Sequence, residues 1–217
     1  MMANVLADMA VEVEASTLMA LRVAKATDCL DTSPQEKALA RVATPVAKYV
    51  NCSRVVVVAN EALQCHGGNG FVEDHPMARL YREAPLNSVW EGAANMMCMD
   101  VRRAMLQDPN CRDALLAELA DVRGQDTRFD GFINAMGPLL DEMQQEEFLA
   151  RPATEVIARA LQGAELLRHS TPEVIDVFMK TRLGGGTNHW GVMFGTLGPG
   201  VRQAQADRIV DRACVKR

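Results

Sequence analysis

Apolar residues recur along most of this chain at the three- and four-residue spacing of an amphipathic helix. Over residues 3–29, Leu6, Met9, Val13, Thr17, Leu21 and Ala24 share one helical face, with Glu12, Glu14, Arg22 and Lys25 elsewhere on the wheel. Ser33-Pro34-Gln35-Glu36 opens a second helix, because Ser at the N-cap, Pro at the first position and Glu at the third make a capping box. That helix runs to about Cys65, and Pro45 is expected to kink or break it. Val55–Val58 could make a short buried strand, but the run sits inside a long Ala-rich helical pattern and is read as helix. Gly67-Gly68 ends the helix as a C-cap.

A loop over 67–76 leads to a short helix at 77–83, which Pro85 breaks. A third long helix starts near 88–92 and reaches Leu106. Asp108-Pro109 ends it, and Asn110 caps a fourth helix that closes at Gly124. Residues 126–149 read as helical with an interruption at Gly137-Pro138. Pro152 at a first helical position starts a helix to about His169, and Thr171-Pro172 starts another. Gly184-Gly185-Gly186 lies in a loop extending to Gly200, and a basic amphipathic helix over 201–213 closes the chain. The pattern predicts an α-helical bundle with appended helices.

Composition sharpens this picture in two places. Aromatics are 5% of the 217 residues while Met reaches 13, which suits packed helices better than a β-sandwich. Cysteines 29, 52, 65, 98, 111 and 214 are scattered without a CxxC pair, as expected of reduced thiols in a cytoplasmic protein and not of a disulfide frame or zinc site. The longest apolar run, Val55 to Ala59, is too short to span a membrane. Charge is uneven. Residues 1–150 hold 13 Lys and Arg against 22 Asp and Glu, a net of −9, whereas residues 151–217 hold 10 against 6, a net of +4.

One ordered set of motifs stands out. Gln64-Cys65-His66-Gly67-Gly68-Asn69-Gly70-Phe71 is followed by Arg79-Leu80-Tyr81-Arg82-Glu83 and then by Asn87-Ser88-Val89-Trp90-Glu91-Gly92-Ala93-Ala94-Asn95. The set resembles the C-terminal signature of acyl-CoA dehydrogenases, in which Q-x-x-G-G-x-G-F precedes an R-[DE] element and a hydrophobic-[YW]-E-G turn. Its particular form is similar to the AidB-type branch, flavoproteins linked to the alkylation response. The likeness is close over 1–106 and looser to about residue 198, where Leu183–Leu197 resembles the branch's C-terminal region.

The resemblance implies an all-α fold: a C-terminal four-helix bundle of the acyl-CoA dehydrogenase type over 1–108, with an AidB-like helical extension over 109–217 packed on it. Family members place this bundle behind a helical domain and a β-barrel, and usually assemble as tetramers. FAD lies between domains and subunits. In that family a glutamate removes the α-proton of an acyl-CoA while the β-hydride passes to the flavin, and Glu91 matches a position of that base. Burial raises a carboxyl's pKa toward a useful match, and Trp90 is a candidate wall. Ser88-Val89-Trp90-Glu91 also reads as a helix-capping S-x-x-E, so the two roles compete.

For the cofactor, Gln64, Gly67 and Gly68 match positions that approach the adenosine and pyrophosphate of FAD, usually a neighbouring subunit's. Glycine lets main chain come close to phosphate, although a plain C-cap explains the pair equally. Where the family commonly has Thr and then Gln beside the flavin, Ala93 and Asn95 stand here. Ala93 has no polar side chain, and Asn95 keeps a shorter version of the contact. Arg82 reads as a structural anchor, and His66 and His75 as polar loop residues.

Three functional expectations follow. The first is the C-terminal fragment of an FAD-dependent acyl-CoA dehydrogenase, inactive alone because the barrel and an upstream R-x-x-F-G element are missing. In it acyl-CoA is the substrate and the chain is a homo-oligomer, dimeric or tetrameric. The second is weak duplex-DNA binding through the basic tail, Arg202, Arg208, Arg212, Lys216 and Arg217, with Asp211 pairing to Arg208. The third is a helical oligomerisation module without activity.

Overall fold

The computed structural model of the protein describes residues 1–184, 194–197 and 200–214. Among them regular structure is helical throughout. Ten α-helices follow in order: α1 (Met2–Asp28), α2 (Pro34–Cys65), α3 (Gly68–Phe71), α4 (Pro76–Glu83), α5 (Ala94–Gln107), α6 (Pro109–Ala120), α7 (Thr127–Gln145), α8 (Ala150–His169), α9 (Pro172–Phe178) and α10 (Gln203–Ala213). A 3-10 helix (Ala84–Ser88) links α4 to α5, and a π-helical turn (Met179–Leu183) extends α9.

Local chemistry sets several of these boundaries. Ser33 caps α2 by accepting from the Glu36 amide at 3.2 Å, with Pro34 at the first position. Asp108, not Asn110, caps α6, accepting from the Asn110 amide at 3.0 Å. α2 runs unbroken through Pro45, and α7 through Gly137-Pro138. In both, the carbonyl that proline leaves unbonded belongs to an exposed residue, Arg41 or Asn134, where solvent can satisfy it. The 67–76 loop contains the single turn α3, and the helix expected from 88–92 starts only at Ala94 because the 3-10 helix takes up the chain after Pro85. Gly185, Gly186 and the rest of 185–193, with 198–199 and 215–217, lie outside the described residues.

The largest departure is the face of α1. Its buried positions are Ala7, Asp8, Val11, Glu12, Ala15, Met19 and Ala26, while Val13 and Leu21 are 50% and 61% exposed. Hydrophobicity misplaced the wheel because two buried positions are carboxylates. Asp8 and Glu12 meet Arg182 of the π turn, and Arg54 of α2 donates to Glu12 at 2.7 Å. Alanines fill much of the rest and let α2 and α8 approach closely.

One continuous core joins the first helices to the last, from Ala7 through Leu115, Phe129, Ile157 and Phe178 to Ile209. Ion pairs repeat that connection. Arg22 of α1 meets Glu36 of α2 and Glu118 of α6, each at 2.8 Å, and Arg168 of α8 reaches Glu118 at 2.6 Å. Arg212 of α10 pairs with Glu14 of α1. The basic C-terminal part is therefore seated on the acidic N-terminal part, which accounts for much of the charge asymmetry.

Candidate functional site

The motif residues fall into two groups. The first is the end of α2. His66 closes the helix and Gly67 leaves it at φ +58°, a conformation that favours glycine. A side chain at Gly67 or Gly68 would meet open space, whereas at Gly70 it would lie 2.2 Å from the Leu63 carbonyl oxygen. Glycine is thus sterically required at 70, conformationally favoured at 67 and free at 68. Gln64 is exposed, its Nε2 3.5 Å from Glu61. Arg82 of α4 grips Glu73 with two bonds of 2.5 and 3.0 Å and anchors the loop between α3 and α4. That contact holds the Glu73 carboxyl below its usual range.

The second group is the turn before α5. Lys48 of α2 donates to the Asn87 carbonyl at 2.5 Å, and the Ser88 hydroxyl to the Pro85 carbonyl at 2.8 Å, which fix the 3-10 helix. Glu91 then stands at φ +54° and Gly92 at φ +116°. Among the described residues Glu91 alone combines a side chain with positive φ, a costly backbone that tends to mark functional turns. A Cβ at Gly92 would come 2.4 Å from Met97 Cε. Ala93 is the N-cap of α5 and supplies no side-chain bond. Ser88 spends its hydroxyl elsewhere and Glu91 precedes the N-cap, so the S-x-x-E capping box does not form. Glu91 is exposed and Trp90 is 53% exposed, so this chain's described residues do not bury the carboxylate.

Asn95, on the first turn of α5, accepts a 2.9 Å bond from Arg151 Nη1 of α8. The Arg151 guanidinium lies 5.6 Å from the centroid of the buried Tyr49 ring, and Tyr49 reaches Glu155 at 3.3 Å. Burial foremost, and Glu155, push the Tyr49 hydroxyl up, against the opposing effect of Arg151. Neither Tyr49 nor Arg151 carries a local sequence signal, since they meet Asn95 only through the packing of α2, α5 and α8.

The groups do not converge. Tyr49 and Gln64 are fifteen residues apart on α2, about 22 Å along its axis. In the tail, Arg208 meets Glu173 of α9 at 2.9 Å rather than Asp211, and Arg212 meets Glu14. Lys216 and Arg217 lie outside the described residues. No described helix is long and apolar enough to cross a membrane, and no cluster of His, Cys, Asp and Glu among the described residues could hold a metal ion.

Comparison with known proteins bears on the family and the fold. Residues 1–106 match the family described as acyl-CoA dehydrogenase, C-terminal domain. The AidB protein of Escherichia coli (strain K12) is 34% identical over 84% of this chain and 33% of its own length. Acyl-CoA dehydrogenase family member 11 of Caenorhabditis elegans is 26% identical over 76% of this chain and 30% of its own. The crystal structure of C. elegans ACDH-11 in complex with C11-CoA shares the fold, with a TM-score of 0.65 over 93% of this chain and 37% of that one at 21% identity. The chain belongs to the acyl-CoA dehydrogenase family, whose C-terminal helical domain it carries in residues 1–106. It spans about a third of the length of these relatives.

FAD, the cofactor that family implies, presents phosphoryl and ring-carbonyl oxygens, all hydrogen-bond acceptors. The two groups offer matching donors. The Gly68 and Asn69 amides open α3 with no acceptor among the described residues, and Asn95 keeps its Nδ2 free. These donors are compatible with the group, although Gly68, Asn69 and Asn95 are exposed and do not enclose it.

Proposed function

We propose that this chain is the C-terminal, all-helical part of an FAD-dependent acyl-CoA dehydrogenase-like oxidoreductase in which Glu91 is the base for α,β-dehydrogenation of an acyl-CoA. The observation that carries the reading is the Glu91-Gly92 turn. Its strained backbone presents a carboxylate ahead of α5, and the competing helix-capping role is not made. The carboxylate would take the proton from the substrate α-carbon, a weak acid that needs a positioned base. Bound FAD would supply the acceptor for the β-hydride. Asn95 would hold the cofactor on the Glu91 side, and Gln64, Gly67 and Gly68 would hold that of a neighbouring subunit. The separation of about 22 Å along α2 supports this division, and with it a homo-oligomer, dimeric or tetrameric.

The exposure of Glu91 adds a second requirement: the apolar surroundings that a positioned base needs would come from beyond the described residues of this chain. The purified 217-residue chain is therefore expected to be colourless and inert toward acyl-CoA, while the full-length protein carries flavin. Stoichiometric flavin released on denaturing the chain alone would overturn this division of the site. Association with DNA draws less support, because Arg208 and Arg212 are already paired with carboxylates.

A further inference from the structure

Arg151 sits where helix electrostatics disfavour it. It is the second residue of the 20-residue α8, at the positive end of that helix's dipole, where a cation is disfavoured. Among the described residues no carboxylate lies within ion-pair distance of it to offset that cost. Its environment instead fixes its direction. The guanidinium is held over the Tyr49 ring, and the ring is itself 7% exposed and bonded to Glu155.

What the arginine touches is Asn95. A guanidinium only donates, so the atom of Asn95 that faces it must be Oδ1. That contact turns Nδ2 outward as a donor with no partner among the described residues. Asn95 is also where this sequence departs from the family pattern, with a shorter side chain and, two positions before it, Ala93 without a polar group.

We infer that Arg151 is a positioning residue of the cofactor site: it locks the Asn95 amide with Nδ2 directed at an acceptor of the flavin cofactor, in place of the longer contacts this sequence lacks. This rests on the function proposed above. It also gives the helices beyond residue 108 a part in the site, since α8 lies outside the region that matches the family.

The test is the dissociation constant of FAD from the full-length protein, read by recovery of flavin fluorescence on release. Arg151→Met and Asn95→Ala should each weaken FAD by about tenfold, the upper end of what one neutral hydrogen bond contributes. The double variant should be no weaker than either single, because one interaction has been removed twice. Arg151→Lys, which retains a donor to Oδ1, should recover most of the affinity. Asn95→Asp keeps the arginine contact but loses the outward donor, and should bind as weakly as Asn95→Ala. The melting temperature of the apo-protein should move by less than about 2 °C in each variant, as for a surface change. Unchanged affinity in Arg151→Met, or additive losses in the double variant, would overturn the positioning role and leave the cofactor site standing. A wild-type protein that binds no FAD would overturn both.

Discussion

Replacing Arg182 by Met should unlatch the C-terminal helices from α1. The guanidinium is 9% exposed and meets Asp8 and Glu12, whose side chains are 4% and 11% exposed. Taking away one member of a buried ion-pair network leaves its partners desolvated and costs about 3–5 kcal/mol. Two donors remain: the Gly195 amide, 3.1 Å from Asp8, and Arg54, 2.7 Å from Glu12. They place the expected loss at the low end, about 3 kcal/mol. For a chain of this length that is a fall in melting temperature of roughly 6–12 °C. Urea unfolding followed by far-UV circular dichroism gives the free energy, and a thermal scan gives the shift. Asp8→Asn added to Arg182→Met should restore part of the loss by removing the stranded charge. A loss below about 1 kcal/mol, or no rescue in the double variant, would show that the network does not seat these helices.

Two further outcomes follow from the turn and from α9. Gly92→Ala should destabilise the chain by about 1–2 kcal/mol through its positive φ, while Gly68→Ala, with open space and no such backbone, should stay within about 0.5 kcal/mol in the same urea series. Asp176 is pushed up by burial but held down more strongly by hydrogen bonds from Lys180, Gln205 and Arg128, and titrates at about 2. Its usual range is near 3.9, so its stabilising contribution is full above about pH 4 and drains as pH falls through about 2. Asp176→Asn should therefore cost about 1 kcal/mol at neutral pH, allowing for screening of a carboxylate one-third exposed, and almost nothing below pH 2. A difference that persists in acid would contradict this.

The order of the longer helices was legible because caps and apolar spacing are local, whereas the single turn α3 inside the 67–76 loop was not. Ser33 announces α2 within four residues of chain, whereas the cap of α6, read as Asn110, is Asp108 two residues earlier. The face of α1 was not legible, because burying Asp8 and Glu12 depends on arginines 174 and 42 residues away. Gly137-Pro138 misled for a related reason, since whether proline breaks a helix depends on what solvates the freed carbonyl. For the proposed site, the motif supplied the candidates Glu91, Gln64, Gly67, Gly68 and Asn95. It could not show that S-x-x-E fails as a cap, which depends on where the 3-10 helix ends. Arg151 was invisible, because its only signal is contact with Asn95 across 56 positions.

The central claim, that Glu91 is a base and not a structural residue, meets its most direct test in the full-length protein with Glu91→Gln. The amide is nearly isosteric but cannot accept the α-proton at neutral pH. Rapid mixing with an acyl-CoA, followed by bleaching of the flavin absorbance, should show reduction slowed about a thousandfold or more. Flavin content and melting temperature should be retained. An unchanged rate of reduction in a folded, flavin-loaded variant would contradict the account and place the base elsewhere.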